Sequence, residues 1–247
     1  AYDEAGNRVT QTDAAGRTTR FEYDRARRLV RRTLPSGPSE RFENHTAGRR
    51  TAKIDFNGAR TEYRYNAAGR LIEKRPDPRF GMAPIVFSYR PDGSRASMVD
   101  ASGTTEYEYD AGGRLTAKHT PQGILRYTYD GRGNLASLSS DASDGVSVRY
   151  SYDRLSRLVE VIDERLAAGT TRYTYDATGN LASMAQPRGV QTSWAYDALH
   201  RLVEVAVTGG VPLARYAYTL AVTGHRAAVT ELGGRTVTYG DGALSRL

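Results

Sequence analysis

The chain contains no cysteine among its 247 residues, which excludes disulfides, thiolate metal sites and cysteine nucleophiles. No run of 18 apolar residues predicts a membrane-spanning helix, and the first residues do not have the pattern of a signal peptide. With only four histidines, there are few candidates for histidine acid–base chemistry. Tyrosine and arginine are abundant instead.

All 17 tyrosines fall into two slots of a repeat about 21 residues long, and a steady period of this length indicates a repeat architecture. The unit reads Tyr-x-Tyr-Asp-x-x-Gly-Arg-Leu, and we call the second aromatic position the anchor slot. Twelve residues occupy this slot at intervals of 20 to 24 residues: Tyr2, Tyr23, Asn44, Tyr65, Tyr89, Tyr109, Tyr129, Tyr152, Tyr175, Tyr196, Tyr218 and Tyr239.

The aromatic residues of each unit lie in a segment of strand type. In Thr170 to Tyr175, Thr171, Tyr173 and Tyr175 alternate with Thr170, Arg172 and Thr174, and period two with β-branched and aromatic residues is typical of a strand. The two rings of a unit therefore share one face of a sheet. The sequence also predicts structural anchors of the repeat at Tyr23, Tyr65, Tyr109, Tyr129, Tyr152, Tyr175 and Tyr196.

A turn follows each anchor, because an Asp side chain can accept amide hydrogens and Gly can adopt positive φ. We include in the structural anchors the turn residues Asp110, Asp130, Asp153, Asp176, Gly69, Gly113, Gly133 and Gly179. Arg27, Ser156 and His200 replace the glycine in three units. Because a bulky residue at positive φ costs on the order of 1 kcal/mol or more, we expect the turns with Arg27 and His200 to adopt another geometry.

Each unit is therefore predicted to be a β-hairpin, and the fold class is all-β. Twelve units give roughly 23 strands, too many for a flat open sheet, so a curved or spiralling shell of antiparallel hairpins is expected. Residues 1–247 form one continuous array in this interpretation. A propeller of six paired units is the structural rival, but no alternation of odd and even units supports it. Ala1 enters a unit directly and residues 241–247 resemble a turn without its return strand, so we expect a fragment of a longer chain.

The string from Tyr107 to Leu115, and with Asn for Arg the string from Tyr127 to Leu135, resembles the YD repeats of RHS proteins. The resemblance covers essentially the whole chain. It implies a β-sheet wound into a hollow shell, as in bacterial polymorphic toxins, in the cocoons of Tc insecticidal toxins and in teneurins. The cap of the bacterial shells, with its Asp-Pro-x-Gly-Leu signature and the autoproteolytic aspartates that release the toxin, has no counterpart, since Asp77-Pro78 is followed by Arg79-Phe80-Gly81.

Other chemistry is poorly supported. The net charge of +7 can indicate nucleic acid, but Arg recurs beside the repeated Asp, which favours a scaffold contact. The candidate catalytic residues are His45, His119, His200 and His225, of which three occupy turn or repeat-slot positions with no fixed acidic or serine neighbour. One Asp per repeat does not converge on calcium, and the glycine-rich turns lack the helix of a phosphate loop. We expect no cofactor, no metal and no nucleic acid.

The sequence thus predicts a non-enzymatic shell segment of an RHS-type toxin, whose resemblance implies enclosure of a C-terminal toxin or effector of the same longer chain. It would be secreted, at the cell exterior or delivered into a target cell, and secretion-machinery proteins are further candidate partners. The alternative is an extracellular array that binds carbohydrate or cell-surface glycans through exposed rings. Against this alternative, two aromatics per unit on one face are more often core than ligand platform.

Overall fold

The computed structural model describes residues 1–167 and 169–240. These residues contain 22 strands and two three-residue 3₁₀ turns, and the chain forms two compact units, Ala1–Gly123 and Ile124–Leu247. No helix in this part of the chain is long and apolar enough to cross a membrane. Residues 241–247, where the sequence suggests an unfinished turn, lie outside the described residues. Continuity of one array through both units stays a prediction.

The first unit is an antiparallel meander in which every strand pairs with the next along the chain. Its strands are β1 (Thr10–Thr12), β2 (Thr18–Tyr23), β3 (Leu29–Thr33), β4 (Ser39–Asn44), β5 (Arg50–Ile54), β6 (Arg60–Tyr65), β7 (Leu71–Arg75), β8 (Ile85–Tyr89), β9 (Arg95–Asp100), β10 (Gly103–Tyr109) and β11 (Leu115–Thr120).

The second unit repeats this pattern. Its strands are β12 (Gly123–Tyr129), β13 (Leu135–Ser140), β14 (Ser147–Tyr152), β15 (Leu158–Asp163), β16 (Thr170–Tyr175), β17 (Leu181–Ala185), β18 (Gln191–Tyr196), β19 (Leu202–Thr208), β20 (Pro212–Leu220), β21 (Arg226–Glu231) and β22 (Thr236–Thr238). The prediction of an all-β fold built from antiparallel hairpins is confirmed.

A β-bulge lies beside the anchor slot. Glu22 pairs with Arg31 and Tyr23 pairs with Leu29, so Val30 is the extra residue of the return strand. The same shift occurs at Tyr109 in the first unit and at Tyr175 in the second. A bulge bends its strand and increases the local twist. These hairpins therefore share a bend at the same place, next to the turn.

At most junctions, pairing between neighbouring hairpins is shorter than pairing within them. In the second unit, β15 and β16 are joined only over Glu160–Ile162 and Thr170–Arg172. Tyr175 and Leu158 therefore lie beyond the end of this ladder. The tyrosine side chain spans the distance that the backbone leaves open, as described below.

Cross-strand pairs define two faces in each unit. The aromatic face carries the two rings of every hairpin, for example Tyr173 and Tyr175, and the polar face carries the residues between them. On the polar face, Thr174 and Ser183 are hydrogen-bonded across the strands through their hydroxyls at 2.7 Å, and Thr128 and Ser137 repeat this contact at 2.6 Å.

Burial is shallow on both faces. No large side chain among the described residues is fully buried, and the most buried rings are Phe21 and Phe42, which are 9% and 7% exposed. The folded state therefore depends on contacts along each sheet more than on a central core.

Candidate functional site

The repeated turn is held by its aspartate. In residues 24–28, the amide of Asp24 donates to the carbonyl oxygen of Arg28 at 2.9 Å. The Oδ1 atom of Asp24 accepts the amides of Ala26 and Arg28 at 2.9 and 3.0 Å, and Oδ2 accepts Nε of Arg28 at 2.7 Å. One carboxylate thus satisfies two backbone donors and a guanidinium within five residues.

The predicted turn residues occupy this same arrangement. Asp110 and Asp153 accept from Arg114 and Arg157 through both oxygens, while Asp130 and Asp176 accept from an asparagine in place of the arginine. The hydrogen bonds from Arg114, first from its amide and then from its guanidinium, lower the pKa of Asp110.

These contacts use the oxygens that a calcium site would need. Within the described part of the chain, no three His, Asp or Glu side chains converge as a metal site would require.

The turns that lack glycine keep the common geometry, so the expectation of a different turn at Arg27 and His200 is wrong. Arg27 and His200 adopt φ of 61° and 60°, close to the 79° of Gly69. The amide of Arg27 donates to the Asp24 carbonyl at 2.9 Å, and Gly69 makes the same bond to Asn66 at 2.9 Å. The aspartate contacts fix the turn strongly enough to hold an unfavourable residue at positive φ.

The turn arginine also contacts the next hairpin. The guanidinium carbon of Arg157 lies 4.5 Å from the ring centroid of Tyr175, and Arg70 lies 5.1 Å from that of Tyr89. These distances fall in the cation–π range. The arginine, which the sequence pattern predicts to be a scaffold contact of the aspartate, therefore has a second partner, the tyrosine ring of the next hairpin. The sequence did not indicate this partner.

The anchor hydroxyl reaches the preceding hairpin. Tyr175 donates to the carbonyl oxygen of Leu158 at 2.8 Å, and Tyr196 donates to that of Leu181 at 3.1 Å. Where the slot holds Asn44, its amide reaches the equivalent carbonyl of Leu29 at 3.4 Å. The anchor side chain thus provides a hydrogen bond where the backbone ladder has ended.

All of the predicted anchor tyrosines lie at the last position of a strand and are half-buried: Tyr23, Tyr65, Tyr109, Tyr129, Tyr152, Tyr175 and Tyr196. The predicted glycines lie at positive φ in their turns: Gly69, Gly113, Gly133 and Gly179. Their contribution to stability stays a prediction, which substitutions can test.

One hairpin has a different register from the one that the repeat suggests. In β20, Leu220 is the last paired residue before the turn, and Tyr218 pairs with Val229 two positions earlier. Leu220 therefore occupies the anchor slot, and Tyr218 takes the position of the first aromatic. The position of Gly224 indicates this register in the sequence. In the hairpin of Tyr65, the positive-φ residue Gly69 lies four positions after the anchor, and Gly224 lies four positions after Leu220.

The residue opposite the first aromatic differs between the two units. In the first unit this slot holds Arg32, Lys53, Lys74, Met98 and Lys118. In the second unit it holds Leu138, Val161, Met184, Val205 and Val229. Sequence reasoning missed this difference, although the chain contains only three lysines and all three lie in this slot.

A buried carboxylate lies among the basic residues that occupy this slot in the first unit. Glu40 is 4% exposed, and its two oxygens contact Arg32 Nε at 2.7 Å and Lys53 Nζ at 2.9 Å. A buried charge is tolerated when it is paired in this way. Glu40 therefore joins two neighbouring hairpins of the first unit through an ion pair on the aromatic face.

The histidines lie in turns or on the polar face. His45 accepts the amide of Ala47 through Nδ1 at 3.1 Å, His119 contacts Glu108 at 2.9 Å, and Nδ1 of His200 is 3.2 Å from Asn180. His225 closes the turn after Leu220 through its carbonyl oxygen. These contacts are those of turn and cross-strand residues.

Comparison with solved structures shows the same fold. A TcdB2-TccC3-TEV crystal structure superposes with a TM-score of 0.63 at 16% identity, over 94% of this chain and 15% of that chain. A TcdB2-TccC3 crystal structure without its hypervariable C-terminal region gives a TM-score of 0.51 at 14% identity, over 97% of this chain and 17% of that chain. The chain thus spans less than a fifth of the length of these proteins. No curated protein matches its sequence.

The RHS Repeat family profile matches residues 2–39, 91–125, 129–171 and 175–212, which is more than half of the chain. The matched segments contain turn aspartates and anchor tyrosines whose contacts are described above. The chain belongs to the RHS repeat family.

Proposed function

We propose that this chain is a non-enzymatic wall segment of an RHS-type toxin shell, which encloses and shields a C-terminal effector of the same longer polypeptide. The mechanism is containment: the sheet keeps the effector away from solvent and from other proteins until delivery. The protein is bacterial in this proposal and is secreted or delivered into a target cell.

The observation that carries the proposal is how each hairpin is joined to the next. The contacts of Arg157 with Tyr175, and of Tyr175 with Leu158, connect adjacent hairpins through side chains as well as backbone. Such a sheet can be lengthened by adding hairpins, because each repeat needs only its neighbours. This is the property that a wall requires.

Membership of the RHS repeat family and the fold shared with the TcdB2-TccC3-TEV structure support the same proposal. The turn chemistry adds a chemical argument, because the carboxylates of Asp110 and Asp153 are engaged by their own turns. Carboxylates bonded in this way serve structure better than proton transfer.

A glycan-binding array is the alternative, and the first unit does not favour it. Stacking on sugars needs open ring faces, whereas Phe21 and Phe42 are less than a tenth exposed. Arg8 and Arg50 lie over these rings at 4.7 and 4.1 Å. The rings are therefore covered by cations of the same sheet.

Limited proteolysis of the full-length natural protein tests containment, with mass spectrometry following the segment beyond Leu247. The expected result is that this segment survives in the native protein. A paired Arg157→Ala and Tyr175→Ala variant, which loosens the wall, should lose the protection, whereas Arg172→Ala on the polar face should retain it. Rapid removal of the downstream segment while the repeats stay whole would overturn the proposal and favour a surface-binding array.

A further inference from the structure

The three lysines of the chain occupy one repeat slot on the aromatic face of the first unit. Lys53, Lys74 and Lys118 each lie opposite the first aromatic of a hairpin, namely Phe42, Tyr63 and Tyr107. Thirty-two other basic residues are arginines. Lysine differs from arginine in presenting a compact, hydrated point charge on a flexible stem.

Among the strand residues of the first unit, the excess positive charge lies on this face. Its strands place six cations there and two carboxylates, Glu40 and Asp100, which leaves a net charge of +4. The cations are Arg32, Arg50, Lys53, Lys74, Arg95 and Lys118.

The two carboxylates are already engaged within the sheet. Glu40 bridges Arg32 and Lys53, and Asp100 accepts the amide and hydroxyl of Ser102 at 2.8 and 2.6 Å. They therefore do not neutralise Lys74 or Lys118.

The polar face of the same strands is balanced. Six arginines and six glutamates lie on it, and they form cross-strand ion pairs such as Arg60 with Glu43 at 2.6 Å and Arg64 with Glu73 at 3.4 Å. The same slot of the second unit carries apolar residues such as Leu138, Val161 and Val205. The cationic face is thus a specific feature of the first unit.

The geometry of the face suits an extended polypeptide. Equivalent slots of successive hairpins are two strands apart, which is about 10 Å. Lys53 and Lys74 stand in successive slots. A chain in the polyproline II conformation has three residues per turn and advances about 3.1 Å per residue, so carboxylates three residues apart lie on one side of it and match this spacing.

Rings on this face are covered by arginine side chains and are not open for stacking with a ligand. Phe42 is 7% exposed with Arg50 above it, and Phe87 has Arg95 over its ring at 4.6 Å. Binding of single-stranded nucleic acid depends on stacking bases on open aromatic faces, and reading a duplex needs an element that enters a groove. A layer of cations above covered rings favours a ligand that supplies carboxylates instead.

We propose that the aromatic face of the first unit, centred on Lys53, Lys74 and Lys118, is a binding surface for an acidic, extended polypeptide segment. The inference deepens the proposed containment and rests on it for the identity of the natural occupant, which is an acidic stretch of the enclosed effector. The second unit, with Leu138, Val161 and Val205 in the same slot, offers an apolar face instead.

Fluorescence anisotropy with the 247-residue chain tests this surface directly. The probe is a labelled peptide with glutamate at every third residue among glycine and serine, and the comparison probes are its lysine counterpart and an oligothymidylate of equal negative charge. We expect the glutamate peptide to bind, the lysine peptide not to bind, and the affinity for glutamate to fall as salt rises.

Variants in which a basic residue is replaced by neutral glutamine test where the peptide binds. Lys74→Gln with Lys118→Gln should lower the affinity for the glutamate peptide about tenfold, since two charge contacts are lost. Arg20→Gln with Arg41→Gln makes the same charge change on the polar face and should leave the affinity within about twofold. A thermal midpoint for each variant verifies that it is folded.

Three results would overturn the inference: unchanged affinity in the lysine variant, equal loss in the arginine variant, or tighter binding of the oligothymidylate than of the peptide. The proteolysis experiment is separate. Protection of the downstream segment without peptide binding would support containment and contradict the acidic occupant. Peptide binding without protection would support the binding surface and contradict containment.

Discussion

The guanidinium of Arg157 lies 4.5 Å from the ring centroid of Tyr175 in the next hairpin, while its Nε donates to Asp153 in its own turn at 2.7 Å. Tyr175 in turn donates its hydroxyl to Leu158, the residue that follows Arg157. The Tyr-Asp and Gly-Arg-Leu parts of the repeat are therefore linked in space, each hairpin contributing half of a contact with its neighbour. This relationship gives the motif a physical basis.

Replacement of Arg157 by lysine should destabilise the second unit. Lysine keeps the charge but loses the planar group that bonds Asp153 and stacks on Tyr175. We expect a loss of about 0.5 to 1 kcal/mol in the free energy of unfolding from the ring contact, measured by urea denaturation. Arg172→Lys on the exposed polar face is the control and should stay within about 0.5 kcal/mol of the parent. Equal effects of the two substitutions would contradict the ring contact.

Removal of the anchor hydroxyl should cost stability without altering the ring. Tyr175→Phe leaves the carbonyl oxygen of Leu158 without the donor at 2.8 Å, and we expect a loss of about 1 kcal/mol in the free energy of unfolding. Tyr216 is 41% exposed, so Tyr216→Phe should have a smaller effect in the same denaturation assay. No loss on Tyr175→Phe would show that water replaces the tyrosine as donor.

Much of this architecture follows from the sequence alone. Alternation in segments such as Thr170–Tyr175 and the Asp-x-x-Gly turns predicted the hairpins, because both signals are local. The contact of Arg157 with Tyr175 was not predictable in this way, since it joins residues of different hairpins whose approach depends on the bulge and on the shortened ladder. The register of Tyr218 does not follow from the aromatic pattern, which places this residue in the anchor slot; the position of Gly224 places Leu220 there instead.

The turns with Arg27 and His200 show the limit of conformational preference. Propensity favours another geometry for a non-glycine residue, but Asp24 contributes three hydrogen bonds that only the common turn satisfies. Local side-chain bonding outweighs a cost on the order of 1 kcal/mol. The cationic slot of the first unit is likewise invisible in an averaged repeat, because it is defined by the residue that the strand register places opposite each ring.

Glycine at position 27 should therefore stabilise the protein. Arg27 has φ of 61°, a conformation that glycine adopts without the steric cost of a Cβ. We expect Arg27→Gly to raise the free energy of unfolding by about 0.5 to 1 kcal/mol. Arg25→Gly in the same turn removes the same charge at a position without positive φ and should be neutral or destabilising. Stabilisation by both substitutions would point to charge rather than backbone geometry.

Acid should weaken the turns as their aspartates become protonated. Hydrogen bonds from the side chains of Thr178 and Asn180 lower the pKa of Asp176 well below its ordinary value. A carboxyl group whose pKa is lower in the folded state contributes stability above its unfolded pKa of about 3.9. That contribution is lost as the pH falls through the lower, folded value. The thermal midpoint should therefore fall steeply below about pH 4.

Asp176→Asn isolates this contribution, because the amide keeps the size of the side chain and removes its charge. The variant should have a lower thermal midpoint than the parent at pH 7, and the two midpoints should converge as the pH is lowered below about 4. Asp144→Asn, in the exposed loop between β13 and β14, should follow the parent throughout. A constant difference between Asp176→Asn and the parent from pH 7 to pH 3 would show that the shape of the side chain, and not its ionisation, stabilises the turn.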